Sequence, residues 1–363
     1  MLIYLIVFLI VIILTFIAQI VYKKNKYVSY GISAVCIMIL SLFAALRANT
    51  VGSDVLTYGL ESFNKVGQFS SLFDYINSFD SEPAYYLLNY IIYYLTNNIH
   101  VFFFILQLIN VIIVYNIAYK EKENMWLCVL IYLMLWYNAS FNILRQTTAL
   151  FIMLFAFRYL EKNKLLKYYI CVFIAFLFHK SSLIYVVMPI LNKLFNSKKY
   201  NIVYFIMIIL MCLIYYAFGE EIISYISNVL PYFSRYATYF SIQETNFNIK
   251  YFLVKLVIVM GTLLFVGNIY NKKSNNFLIY SMILETLLYI NSDFIRYGYR
   301  ISYFFTLYYI ILIPRIDSSL MKETNRKIFR LFIVSTFLFF WYFRNVRVGY
   351  DATIPYMFYW NEV

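Results

Sequence analysis

Apolar positions in this chain do not alternate with polar ones; they run on unbroken. Runs close to the ~20 residues that a helix needs to cross a hydrocarbon core lie at 2–22, 29–46, 99–118, 200–218, 250–270 and 328–343. Shorter or interrupted runs lie at 84–97, 126–138, 143–160, 168–178, 181–192, 277–291 and 300–314. No polar linker of any length divides them, and no low-complexity segment or soluble-type repeat intervenes. The pattern predicts an all-α, polytopic integral membrane helical bundle of about 11–13 membrane segments, short or re-entrant helices included. It is expected to form a single multi-spanning membrane domain over 1–343, followed by a short C-terminal tail, 344–363. The run Leu2–Tyr22 has no basic stretch before it and no cleavage site after it, so it is expected to remain as a first span.

Charges between the runs predict the orientation. Lys23, Lys24 and Lys26 form one basic connection; 161–167, 193–199, 271–276 and 315–330 are the others. The positive-inside rule makes these cytoplasmic. The acidic stretches 47–83 and 219–249, and the segment 292–300, then face outward, as does the amino terminus. Two parity conflicts follow. Both 161–167 and 193–199 are inside, so the residues between them must enter and return as a hairpin, 168–178 and 181–192, with Phe178–Ser182 at its tip. Arms of 11–12 residues reach only ~17 Å at 1.5 Å per residue, so the tip lies within protein or a wet cavity. The second conflict concerns 84–97. If Lys120–Glu123 is inside, 84–97 is re-entrant or interfacial; if outside, it crosses. The first alternative keeps Arg145 outside and is preferred.

Composition sharpens this picture. Only 13% of residues are charged and 63% are hydrophobic, with a mean hydropathy of +0.72. Soluble domains carry about 25% charged residues, so this chain lacks the polar surface to cover a soluble globule. The net charge of +13 sits in short clusters between apolar runs, as topology signals do, which argues against nucleic acid as a partner. Cys36, Cys128, Cys171 and Cys212 lie inside apolar segments without metal or disulfide spacing. No P-loop, GxSxG, HExxH or CxxC motif occurs, so a nucleotide- and metal-independent chemistry without cofactors is expected.

The unusual polar residues converge on the outer side of this map. The first loop supplies Arg47, Gly52, Asp54, Tyr58, Asp80 and Glu82; a helix start supplies Arg145 and Gln146. The hairpin tip supplies His179, Lys180 and Ser181, and the late loop Asp293, Arg296, Tyr297 and Arg300. Ionisable groups at membrane depth usually line a pathway or pair with one another, and arginine forks suit phosphate oxygens. Plainer readings stand beside these: Arg145 snorkelling from a helix end, Arg47 closing the second span, His100 as an interfacial structural residue. Arg158 is expected to snorkel. Lys255 and Glu285, at equal depth, are expected to form a buried structural ion pair.

Several stretches resemble one family. They are Arg47–Asp54 followed by Tyr58; Glu82-Pro83-Ala84-Tyr85 leading a helix; Asn142–Gln146 with Ala149; Ala175–Ser181; and Arg300 before a late span. Together, across roughly 40–315, they resemble the EpsG family of Wzy-like bacterial exopolysaccharide, capsule and O-antigen polymerases. The resemblance implies a glycosyltransferase in the bacterial plasma membrane, with its active site facing the extracytoplasmic side. It would polymerise oligosaccharide repeat units carried on undecaprenyl pyrophosphate. His179, Arg145, Asp54 and Glu82 are the candidate catalytic residues; Arg47, Tyr58, Gln146, Lys180, Arg296 and Arg300 the candidate substrate-binding residues. His179 is the first candidate base, since imidazole titrates near neutrality, with Asp54 or Glu82 second. Expected partners are lipid-linked glycans, the bilayer, and the chain-length regulator and flippase of the same pathway. Alternative readings are a lipid-linked oligosaccharide flippase or transporter, a ligase, and a membrane O-acyltransferase.

Overall fold

The structure is a computed structural model and describes residues 1–79, 82–196, 201–229, 247–270, 275–290 and 298–361. Its helices follow the apolar runs: α1 (Leu2–Tyr22), α2 (Lys26–Ala45), α3 (Pro83–Thr96), α4 (Ile99–Lys120), α5 (Met125–Tyr132), α6 (Leu144–Glu161) and α7 (Leu165–Phe178). Then come α8 (Met188–Phe195), α9 (Asn201–Val229), α10 (Ile249–Leu263), α11 (Asn275–Leu288), α12 (Tyr299–Thr306), α13 (Tyr309–Ser319) and α14 (Glu323–Tyr342). The described residues contain no strand, only an isolated bridge between Arg47 and Phe358. The chain divides into two compact units, Met1–Val187 with Ile313–Val363, and Met188–Leu312.

In the first unit, α1 buries Tyr4, Phe8, Val11, Thr15 and Ala18, a stripe spaced by fours and threes. Its other side exposes Leu2, Ile6, Leu9, Ile13, Ile17 and Ile20. Leaving such side chains in water forfeits about 1.5–3 kcal/mol each, so this side belongs in lipid. Among the described residues three helices, α1, α2 and α4, are long and apolar enough to cross a membrane, and the chain is a membrane protein. Hydroxyls join these three: Thr15 bonds Tyr115 at 2.7 Å, and Ser29 and Ser33 bond Tyr119 at 3.1 and 2.7 Å. α2 begins earlier than its apolar run, because the Asn25 side chain caps it by accepting from the Tyr27 and Val28 amides. α5 and the π-helical turn Leu133–Tyr137 that extends it are buried on almost every side, making them the core of the unit.

The hairpin expected at 168–192 is present, with a correction to its second arm. α7 ends at Phe178, His179 is extended, and Lys180–Val187 returns as a 3-10 helix before α8 begins. Tyr168 donates to the Tyr185 carbonyl at 2.8 Å, fixing the return against α7. The stretch 47–79 is likewise more ordered than an open loop. It forms the π-helical turn Val55–Glu61, the helix Ser62–Lys65, a 3-10 turn at Val66–Gln68 and the helix Leu72–Asn77. Val55, Phe63, Val66 and Tyr75 pack there against Tyr85, Tyr86, Ile92, Phe102 and Phe103.

Charges mark the two ends of this unit. At one end Arg315 bonds Glu121 and Glu161 at 2.9 and 2.8 Å, Arg330 grips Asp317, and Asn124 bonds Ser318. Connection 120–124 therefore lies at the same end as 161 and 315–330, the arrangement that leaves α3 short of a crossing. At the other end His100, at the start of α4, donates from Nδ1 to the Ala45 carbonyl at the end of α2. It is a structural contact. Arg158 lies over the Phe155 and Tyr159 rings near the end of α6.

In the second unit the Lys255–Glu285 pair forms as expected, with both side chains buried. Thr306 and Thr286 each donate to the Glu285 carboxylate at 3.1 Å, so the buried charge is compensated. Three runs depart from their expected bounds. α9 continues past a non-helical Phe218 to Val229, taking the first residues of the expected 219–249 loop. α10 stops at Leu263, and the 300–314 run breaks between α12 and α13.

Candidate functional site

The site is built on Glu82, the residue immediately before the proline that opens α3. Pro83 suits the first helical position, where no amide hydrogen is needed. Glu82 itself sits at φ +76°, ψ +52°, the left-handed region that non-glycine residues avoid. Such a conformation costs on the order of 1–3 kcal/mol and persists only where the surroundings over-determine it. Here they do. The side chain is 2% exposed and each carboxylate oxygen is taken. Arg145 Nη1 pairs with Oε2. His179 Nδ1 lies 2.5 Å from Oε1, and the Lys180 amide donates to the same oxygen at 3.4 Å. Burial alone would raise the Glu82 carboxyl; the hydrogen bond from His179, the Arg145 charge and the Lys180 amide outweigh it and hold the group below the usual carboxylate range.

Three chain segments meet at this carboxylate. Arg145 stands at the second position of α6, because the helix Ala139–Asn142 breaks at Ile143 before α6 starts. His179 and Lys180 come from the hairpin tip, where α7 passes into the 3-10 return. Tyr58, on the π-helical turn, lies under the Arg145 guanidinium at 3.7 Å, and the Tyr85 hydroxyl donates to the Tyr58 carbonyl at 2.7 Å. A stacked guanidinium with one N–H on a carboxylate is held in plane and in place.

The unused atoms define what the site can do. A carboxylate only accepts, so the Nδ1 facing Glu82 carries a proton and a neutral His179 ring presents a lone pair at Nε2. Nε2 has no hydrogen-bond partner among the described residues, and the ring is 18% exposed. Beyond its bond to Glu82, Arg145 makes no hydrogen bond to another described residue, and it is 14% exposed. A ring nitrogen able to accept a proton and a guanidinium able to take up an anion thus share one carboxylate and are both partly exposed. Among the described residues no three His, Cys, Asp or Glu side chains converge as a metal site.

Other candidates are placed differently. Asp54 heads the π-helical turn; its amide donates to Asn142 Oδ1 at 3.0 Å, and its carboxylate pairs with none of Glu82, Arg145 and His179. Arg47 is 1% exposed, lies between the Phe103 and Phe141 rings at 4.1 and 4.6 Å, and donates to the Ala44 carbonyl at 2.5 Å. It is not part of the Glu82 network. Gln146 is buried, and its Oε1 has no partner among the described residues. Lys180 is buried at the head of the 3-10 return. Arg300 belongs to α12 of the second unit. Asp80, Asp293, Arg296 and Tyr297 lie outside the described residues.

The sequence marks Glu82 as a second-choice base rather than as the hub, and it places Tyr85 and Asn142 in the family-like stretches without giving either a role in the site. A Glu-Pro pair opening an apolar run was the available signal for the first. The role of Asn142 has no local signal, because its side chain accepts from Ser53 at 2.9 Å, a residue far back in the chain.

The model of the EpsG family matches residues 30–358, nearly the whole chain. No curated protein and no solved structure matches.

Proposed function

Since the chain belongs to the EpsG family, a family of Wzy-like polysaccharide polymerases, we propose that it joins oligosaccharide repeat units carried on undecaprenyl pyrophosphate at the extracytoplasmic face of a bacterial plasma membrane. The donor is the growing glycan on its lipid diphosphate, and the acceptor is one lipid-linked repeat. An acceptor hydroxyl attacks the donor's anomeric carbon, the carbon–oxygen bond to the diphosphate breaks, and the lipid diphosphate departs. The hydroxyl proton passes to His179 Nε2, which Glu82 keeps in the accepting tautomer through Nδ1. Negative charge gathers on the leaving diphosphate, where the free donors of Arg145 are stabilising. Glu82 does not touch substrate in this scheme; it orients both groups.

The observation that carries the proposal is the sharing of one strained, buried carboxylate by a histidine and an arginine whose remaining polar atoms are open. The test is polymer formation in liposomes from synthetic undecaprenyl-pyrophosphate repeat units, read as a ladder of products. His179→Ala is expected to slow the ladder about 10²–10⁴-fold, the usual contribution of a general base. Arg145→Ala is expected to slow it about 10²–10³-fold. A folded, inserted variant of either kind that makes polymer at the native rate removes that residue from the mechanism. A single transfer to a foreign acceptor, with no ladder, points to a ligase instead.

A further inference from the structure

The expected C-terminal tail is not free. After α14 a π-helical turn, Phe343–Arg347, leads into a segment that folds back over the end of the unit where the site lies. Arg344 anchors it: the guanidinium donates to the Leu135 carbonyl at 3.1 Å and pairs with Asp351 at 2.9 Å, all of it buried. Beyond Asp351 the segment is stitched residue by residue to the start of the first loop. The Gly52 amide donates to the Ala352 carbonyl at 2.9 Å and the Ala48 amide to the Met357 carbonyl at 2.8 Å. The Tyr359 amide donates to the Leu46 carbonyl at 3.0 Å, and the Tyr356 ring stacks on Phe43 at 4.2 Å.

The same segment grips the other wall. Asn138 Nδ2 donates to Thr353 Oγ1 at 2.8 Å, and the Tyr4 hydroxyl donates to the Thr353 carbonyl at 2.9 Å. Trp341 holds the remaining Asn138 oxygen at 2.8 Å. Asn138 stands one turn before Asn142, which accepts from Ser53 and the Asp54 amide, and Asn142 stands three residues before Arg145. Gly52 closes the gap between the two walls. It sits at φ +103°, and a Cβ there would lie 2.6 Å from the Phe141 carbonyl oxygen.

We propose that residues 344–361 are a working part of the site: Thr353 and the Arg344–Asp351 pair act as positioning residues that hold the Asp54–Tyr58 turn at a fixed distance from the helix start carrying Arg145. The role as site rests on the function proposed above; the clasp itself does not. Because Tyr58 and Arg145 stack directly, a shift of one wall moves the guanidinium off the leaving diphosphate. Displacements of about 1 Å at a reacting centre can lower turnover by as much as 10²-fold.

The experiment uses the full chain, purified and placed in liposomes. Thr353→Val removes the hydroxyl that Asn138 holds, Gly52→Ala forces the walls apart, and Thr353→Ser restores the hydroxyl. Both disruptive variants are expected to lower kcat of the ladder reaction on the order of ten-fold or more, at unchanged acceptor KM, and Thr353→Ser to recover it. A second readout needs no activity. Ala48→Cys, buried under the clasp, is expected to react with a water-soluble maleimide several-fold faster when Thr353→Val is added. Native kcat in Thr353→Val, or a chain ended at Phe343 that inserts and polymerises normally, overturns the proposal; so does unchanged labelling at position 48. A native chain that makes no polymer, while labelling still responds to Thr353→Val, keeps the clasp and rejects the function.

Discussion

At the scale of single residues, Glu82 combines two demands that pull against each other. Its backbone would be more comfortable as glycine, and its carboxylate is indispensable to Arg145 and His179. Replacement separates the two. Glu82→Gly and Glu82→Ala both lose the carboxylate and are both expected to stop polymerisation. Glu82→Ala keeps the strained backbone without the contacts that hold it, so it is expected to be less stable than Glu82→Gly by about 1 kcal/mol. Thermal unfolding of the two purified proteins reads the difference, and equal stability would show that the left-handed conformation is not retained. A pH series on Glu82→Gln adds the charge. The folded-state carboxyl is held low, so its stabilisation is present above the ordinary carboxylate range and is lost as pH falls through the depressed value. The deficit of Glu82→Gln against the native chain is therefore expected to be largest near neutrality and to shrink in acid. A deficit independent of pH would mean that the pairing is not electrostatic.

Among the elements, α3 is the one whose placement changes the architecture. It has 14 residues, about 21 Å at 1.5 Å per residue, and both of its ends belong to the same end of the first unit. Glu82 at its start joins Arg145 and His179; Asn97 and Asn98 at its finish lead straight to His100 on the Ala45 carbonyl. An element that leaves and returns to one end does not cross. Cysteines placed at the exposed Asn77 and Asn98 are both expected to react with an impermeant maleimide added to intact cells. Reaction at Asn77 alone would make α3 a crossing helix and reverse the direction of α4. The α3 case also shows what the sequence could reveal. Apolar runs announced α1 to α7 because hydrophobic length and helix length are tied in lipid, and loop charges resolved the hairpin around His179. The 3-10 return at Lys180–Val187 and the fold of 47–79 depend on tertiary packing, on Tyr168 and on the Tyr75 and Phe102 cluster, which leave no periodic trace. The same holds for the site. Arg145 and His179 were legible as costly ions near helix ends, whereas their meeting on Glu82 and the clasp of Thr353 on Asn138 join residues 63 to 215 positions apart.

Over the whole molecule, orientation decides which compartment the Glu82 network faces. Within the first unit the charges divide between the two ends of α4 and α6. Glu121, Glu161, Arg315, Asp317 and Arg330 bind one another at one end; Glu82, Arg145 and His179 meet at the other. The first set adjoins the basic connections that the positive-inside rule assigns to the cytoplasm. On that rule the proposed function places the network outward, the side on which lipid-linked glycans moved across the bilayer would meet it. The carboxy-terminal clasp must lie on that same side, since Tyr4, Phe43 and Gly52 hold it there. Cysteine scanning on intact cells measures all of this at once. Gln68 and Asn361 are expected to label from outside, and Lys24, Lys162 and Lys322 only after the membrane is opened. The reverse pattern would put the Glu82 network in the cytoplasm, where donors activated as nucleotide sugars rather than translocated lipid diphosphates are at hand, and the polymerase reading would fall with it. Labelling of Gln68 but not Asn361 from outside would spare the orientation and contradict the clasp alone.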